Sequence, residues 1–205
     1  MPGPQLQTSA FILAKQPSGS DKFEQLTAFS GEHGVLHCLR RLAAGKAAAA
    51  PLDLFDEAEL WLESSSQGRT WFIKEHRFLS RHPGIGRSYE TLQAAANLTK
   101  LLHRNPVSDE SRPVVAELLR ASFAALAAGG PPGIVWLKTL YCFLRDEGYP
   151  VKQQWWPQLP AADRATAAQL LNQPLAAQTA DAATVARIAR RLEEWVHAET
   201  EIRLG

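Results

Sequence analysis

Along the first eighty residues the apolar side chains come in short runs broken by turn-forming ones. "AFILAKQ" (10–16), "KFEQLTAFS" (22–30) and "VLHCLRRL" (35–42) are rich in aromatic and aliphatic residues and are separated by "PSGSD" and "GEHG", compositions that reverse a chain. Two more runs follow, "AELWLESS" (58–65) and "RTWFIKEHRFL" (69–79), with "QG" between them. In the last, Trp71 and Ile73 fall on one face and Phe72 and Lys74 on the other, the alternation of a strand. Five short strands with no amphipathic segment of helix length among them predict a small closed barrel of the OB type rather than a βαβ sheet.

After "HPGIGR" the period changes. "SYETLQAAANLTKLLHRN" (88–105) opens at Ser88, a good N-cap, carries Tyr89, Leu92, Ala96 and Leu98 to Leu102 at near-helical spacing, and stops at "NP". "SDESRPVVAELLRASFAALAAGG" (108–130) repeats the logic, with Val115, Leu118, Leu119 and Leu126 on one stripe and glycine at the end. "GIVWLKTLYCFLRDEGYP" (133–150) is apolar almost all round, which predicts the central helix of a bundle. Residues 161–172 and 181–202 read as two further helices. The predicted fold class is therefore α+β and multidomain: a barrel domain over 1–83 and an all-α helical domain over 84–205. The alanine-rich "AAGKAAAAP" (43–51) joins two strands as a loop.

Composition narrows the class without deciding the function. The chain has 205 residues, 45% of them hydrophobic, enough to bury a core. Lys and Arg number 22 against 21 Asp and Glu, so net charge selects no partner. Its distribution is more informative. Asp53, Asp56, Glu57, Glu59 and Glu63 occupy 51–65 with no base among them, whereas Arg69, Lys74, Arg77, Arg81, Arg87, Lys100 and Arg104 occupy 66–105 against Glu75 and Glu90. Segregation of this kind predicts a basic face. Cys38 and Cys142 lie far apart among apolar neighbours, which supports neither a disulfide framework nor a four-ligand zinc site and predicts a cytosolic, reduced protein. The run "AFIL" is too short to cross a bilayer, and no membrane association is expected.

The strongest catalytic temptation is "GEHGVLH". A zinc protease needs two histidines four apart on a helix with a glutamate after the first. His33 and His37 have the spacing, but Gly34 follows His33 and the context is turn and strand, where residues four apart sit about 13 Å from each other. No G-x-S-x-G elbow, phosphate loop or dinucleotide fingerprint is present. "HPGIGRS" (82–88) has two glycines ahead of a helix start, which reads either as a phosphate-binding turn or as an interdomain joint.

Binding chemistry remains. Arg40, Arg41 and Lys46 near one strand end, with Arg69, Lys74, Arg77 and Arg81 along the last strand and its exit, are candidate DNA-binding residues. Trp71, Phe72 and Phe78 are interleaved with them. Single-stranded nucleic acid is held by that combination, cations following the backbone while rings stack on bases. A five-stranded barrel must also fill its interior, so part of this aromatic set is expected in the core.

The order of these features resembles the RecO family of bacterial recombination mediators. The likeness begins in "FILAKQPSGSDKFEQLTAFSGEHGVLHCLRRLAAGK", with a strand ending in "TAFS" and the turn "GEHG". It continues through "PLDLF", "YETLQAAANLTKLL", "VVAELLRASFAALAAGGPP", the "EGYP" helix end and "RLEEWVHAETEI". Two departures matter. Many members follow the "GY.P" turn with two C-x-x-C pairs that hold zinc, whereas "VKQQWWPQLPAADR" stands here, so no metal or other cofactor is expected. Where the family usually has Ala-Lys-Gly-Ala-Arg, this chain has Leu39, Arg40, Arg41, Leu42 and Ala43.

The resemblance implies an accessory DNA-repair protein and no enzyme: a cytoplasmic, nucleoid-associated mediator that binds single- and double-stranded DNA, anneals complementary strands and, with RecR, helps RecA load. It also implies contact with the acidic C-terminal tail of single-strand binding protein. A rival keeps the fold and makes the barrel an interaction adaptor that touches protein only, motivated by the near-neutral charge and by the acidic stretch 51–65. A third reading takes "HPGIGRS" as the mark of a phosphate-ester enzyme.

Overall fold

The computed structural model describes residues 3–42, 50–65 and 70–204. The chain divides into two compact units, Met1–His82 and Pro83–Gly205.

The first unit holds β1 (Gln5–Pro17), β2 (Phe23–Ser30), β3 (Gly34–Arg41), β4 (Glu57–Ser64) and β5 (Trp71–Ser80). Each strand has two bonded neighbours, in the order β1-β2-β3-β5-β4 with β4 returning to β1, so the sheet closes as a barrel. All pairings are antiparallel except the seam between β3 and β5, which is parallel and three rungs long: Cys38 with Trp71, Leu39 with Phe72, Arg40 with Ile73. Alternation sends Ile12, Leu26, Ala28, Cys38, Leu60, Leu62 and Ile73 inward as one core, each fully buried aliphatic side chain contributing about 1.5–3 kcal/mol. Leu52, wholly buried, joins this core from the segment before β4.

A bulge breaks the β4–β5 ladder. Trp61 pairs with Glu75 and Leu62 with Ile73, so Lys74 is the extra residue. The β2–β3 turn is held by Ser30. Its Oγ accepts from Glu32 N (3.1 Å) and His33 N (3.3 Å) and lies 2.7 Å from Thr8 Oγ1. Gly34, at φ 68°, completes the reversal in the left-handed region that glycine tolerates.

The second unit carries α1 (Tyr89–Arg104), α2 (Arg112–Ala127), α3 (Pro132–Asp146), α4 (Val151–Gln158), α5 (Ala161–Asn172) and α6 (Ala182–Glu199). Ser88 caps α1 by accepting from Thr91 N at 3.1 Å, and Asp181 caps α6 by accepting from Thr184 N at 2.9 Å. The apolar helix α3 packs against α1, α2, α4, α5 and α6. It ends as its sequence predicts: Gly148 turns left-handed at φ 84° and Tyr149 N donates to Leu144 O at 2.9 Å.

Three sequence expectations change. In α1 the buried stripe is Thr91, Ala94, Ala95, Leu98, Leu101 and Leu102, while Tyr89 and Leu92 are exposed. The helix expected from residue 108 starts at Arg112, because Ser108–Ser111 form a turn closed by Ser111 N donating to Ser108 O at 3.0 Å. Residues 151–158, given no helix from the sequence, form α4 with Val151 and Trp155 buried. Among the described residues no helix is long and apolar enough to cross a membrane.

Candidate functional site

Register decides which barrel residues meet. Directly opposite residues on neighbouring strands share a face, and one row runs Gln25, Leu39, Phe72, Glu63, Gln5 across β2, β3, β5, β4 and β1. Ile73 and Cys38 point into the core beside it, so this row faces outward. The next row on the same face pairs Phe23 with Arg41. Phe23 and Phe72 meet edge to face at 6.1 Å. From these two rows Leu39, Phe72, Glu63, Phe23 and Arg41, together with Gly3, Ser64, Ser65 and Lys74, line a concave surface of about 600 Å³. A second cavity of about 400 Å³, lined by Lys15, Ser18, Asp21, Glu24 and Leu42 around the β1–β2 loop, shares Phe23 with it.

The aromatic residues singled out in the sequence divide by this geometry. Trp71 and Phe78 pack on the core, and Phe78 also carries the Arg81 guanidinium 4.5 Å from its ring centre. Phe72 is the one of the three that lines the cavity, with Phe23 beside it.

The charges divide more sharply. Arg77 Nη2 lies 2.6 Å from Glu59 Oε2, Lys74 Nζ 2.9 Å from Glu63 Oε2, and Arg81 Nε 3.3 Å from Asp56 Oδ1. The hydrogen bond from Lys74 holds the Glu63 carboxyl below its ordinary value. The acids of 51–65 and the bases that follow are segregated in sequence but brought together by an antiparallel hairpin. The expected basic face is therefore corrected on the barrel: Arg77, Lys74 and Arg81 each sit against a carboxylate, that of Glu59, Glu63 and Asp56 in turn.

Arg40 is turned to Glu24, its partner in the β2–β3 register, and Lys15 approaches the same carboxylate at 3.5 Å. The Arg40 side chain is 13% exposed and that of Glu24 9%, so this pair belongs to the barrel wall. Arg41, next in the chain, is exposed, lines the larger cavity and has no ion pair with any described residue. Lys46 and Arg69 lie outside the described residues.

Lys22 was not singled out in the sequence. Its carbonyl accepts from Leu42 N at 2.8 Å, which puts it at the end of the ladder beside the Phe23–Arg41 pair, and its exposed ammonium has no partner among the described residues. Only the pairing register reveals it, since in sequence it is one lysine at the start of a strand run.

The remaining motifs are structural. His33 approaches Glu32 at 3.5 Å, and His37 is exposed on β3. Among the described residues no three of His, Cys, Asp and Glu gather as a metal would require. In "HPGIGRS", residues Pro83–Arg87 form a 3₁₀ turn. A Cβ on Gly84 would stand 2.1 Å from Ala127 O, so this glycine permits close packing against the end of α2. Ser88 Oγ is engaged by Thr91. Cys38, wholly buried, has its thiol pushed up to about 12 by desolvation, which suits a core residue and no nucleophile.

No protein-family model matches the chain, and no curated protein matches it.

Proposed function

We propose that the chain is a DNA-binding recombination mediator of the RecO type, with no bond-making activity of its own, working in the cytoplasm at the nucleoid. It binds single- and double-stranded DNA, promotes annealing of complementary strands and, with RecR and the C-terminal tail of single-strand binding protein, helps RecA load. The barrel is proposed to be of the OB type. Its five strands and the order β1-β2-β3-β5-β4 support that reading, because OB barrels bind oligonucleotides on the β2–β3 face and its flanking loops.

The observation that carries the proposal is the outward row of Leu39 and Phe72, with Phe23 and Arg41, which has no ion pair among the described residues, in the row beside it. Rings on which bases stack, with a cation at their edge, are the elements of sequence-tolerant strand binding. The test is an annealing and strand-binding assay with wild type and Arg41→Ala. Weaker strand binding and slower annealing in a variant that still folds is the expected result. An Arg41→Ala protein that binds and anneals as wild type removes this surface from the proposal.

One observation favours a second reading, in which the barrel contacts protein only: Asp56, Glu59 and Glu63 answer Arg81, Arg77 and Lys74 one for one. Capture of RecR or of the acidic tail by a variant unable to bind DNA distinguishes it.

A further inference from the structure

We propose that the cleft between α4 and α6 binds a free amino acid with a small apolar side chain. Residues three or four apart share one side of a helix. On α4 and its C-terminal cap that spacing groups Trp155, Gln158 and Leu159, and on α6 it lines up Arg191, Glu194, Trp195, Ala198 and Glu199. The two stripes enclose a cavity of about 260 Å³. Sites for drug-sized ligands run to roughly 300–1,000 Å³, so the occupant of this one is compact.

The polar groups of the cavity are sorted by burial. Trp155 and Trp195 are 1% and 3% exposed, and neither indole N–H has an acceptor among the described residues. Arg191 supplies a third such donor: its Nε stands 3.5 Å from Asp163 Oδ2 and makes no hydrogen bond. Buried donors left without partners are costly, and three around one cavity call for an oxygen acceptor. Glu194 and Glu199 are exposed, and neither has an ion pair among the described residues. They call for a cation. An amino acid answers both demands, its carboxylate toward the indole and guanidinium donors and its ammonium toward the two glutamates, each contact charge-assisted. Leu159, Ala198 and the indole rings leave apolar room for a short side chain. A phosphate or an acidic peptide carries no cation and is repelled by Glu194 and Glu199, so this site neither restates nor depends on the nucleic-acid reading of the barrel.

The test is an NMR titration of the full chain, isotope-labelled at tryptophan, reading the indole N–H signals of its six tryptophans. The probes are L-valine, isovalerate, which lacks the ammonium, and isobutylamine, which lacks the carboxylate. L-Valine is expected to shift two of the six signals saturably. Each half-ligand should bind at least about tenfold more weakly, the loss of one charge-assisted hydrogen bond. The double variant Glu194→Gln, Glu199→Gln changes only exposed side chains and should lower the affinity for L-valine to that for isovalerate. No saturable shift with L-valine overturns the inference, as does isovalerate or isobutylamine binding as well as L-valine. Full affinity in the double variant overturns the assignment to this cavity. Indole signals that exchange with water and respond to none of the three probes mean a cavity filled by solvent alone, which overturns it too. DNA binding by the barrel is read in a separate assay, so its presence or absence leaves these outcomes distinct.

Discussion

Glu59 and Arg77 stand directly opposite each other on β4 and β5, and their side chains meet at 2.6 Å while Gln7 Nε2 donates to the other Glu59 oxygen at 2.7 Å. Two residues eighteen apart, from oppositely charged stretches, thus cancel on one patch of barrel wall. Arg77→Ala is expected to leave affinity for single-stranded DNA within twofold of wild type. Its stability cost is expected to be at most about 1 kcal/mol, as for other exposed ion pairs. A titration and a urea melt check both, and a large loss of affinity would show that Arg77 leaves Glu59 for phosphate.

Neighbouring arginines are expected to part company. Arg40→Ala strands the Glu24 carboxylate, only 9% exposed, with the more distant Lys15, and should destabilise the barrel by about 3 kcal/mol. Arg41→Ala should leave the unfolding midpoint unchanged and flatten the salt dependence of strand binding by about 0.7 in log–log slope, one phosphate contact. Parallel denaturation and salt titrations separate the two. Equal stability loss in both variants would contradict the structural difference between them.

Acid should weaken the helical unit partly through Asp163. This carboxylate, 7% exposed, meets Arg187 at 2.9 Å and Arg191 at 3.5 Å, and the Arg187 hydrogen bond holds its pKa below the ordinary 3.8. Because the folded value is the lower one, the stabilisation is complete above the unfolded value and drains away as pH falls below it. Asp163→Asn should therefore be less stable than wild type at neutral pH, with the gap narrowing on acidification below the ordinary Asp value. Melts from neutral pH downward test the sign, and a gap that widens in acid refutes it.

The two glycines of the 3₁₀ turn should respond oppositely. Gly84→Ala drives a methyl into Ala127 O, a backbone atom that cannot swing aside, and is expected to cost about 3 kcal/mol. At Gly86 nothing lies within 4 Å of the added carbon, so alanine there should be neutral or stabilise by about 0.5 kcal/mol through the unfolded chain. Thermal melts of the pair suffice, and similar midpoints would contradict the packing.

Local chemistry made much of this fold legible. Turn residues at 17–21 and 31–34, and period-two runs between them, mark β2 and β3 to within a residue and the end of β1, which begins at Gln5, five residues before the expected run, and Ser88 and Gly148 bound helices where capping physics says they should. What could not be read was pairing. The acids of 51–65 and the bases of β5 look like opposed surfaces until β4 folds back on β5. Lys22 gains its place from Leu42, twenty residues away. Thr91 is buried and Tyr89 exposed in α1 because the neighbouring helices, not hydrophobicity alone, choose which side of a weakly apolar helix is covered. In α4, Pro157 and a polar stretch before two tryptophans hid a helix of eight residues that neighbouring packing stabilises.

The parallel seam between β3 and β5 has a mechanical meaning. Three rungs hold the cylinder shut, and Leu39 and Phe72, the middle rung, are also the floor of the concave surface. Anything lodged on that floor grips both sides of the shortest joint and acts as a clasp. Occupancy should then be felt as slowed amide exchange along β3 and β5, far beyond the atoms touched, and a vacant cylinder should breathe first at this line.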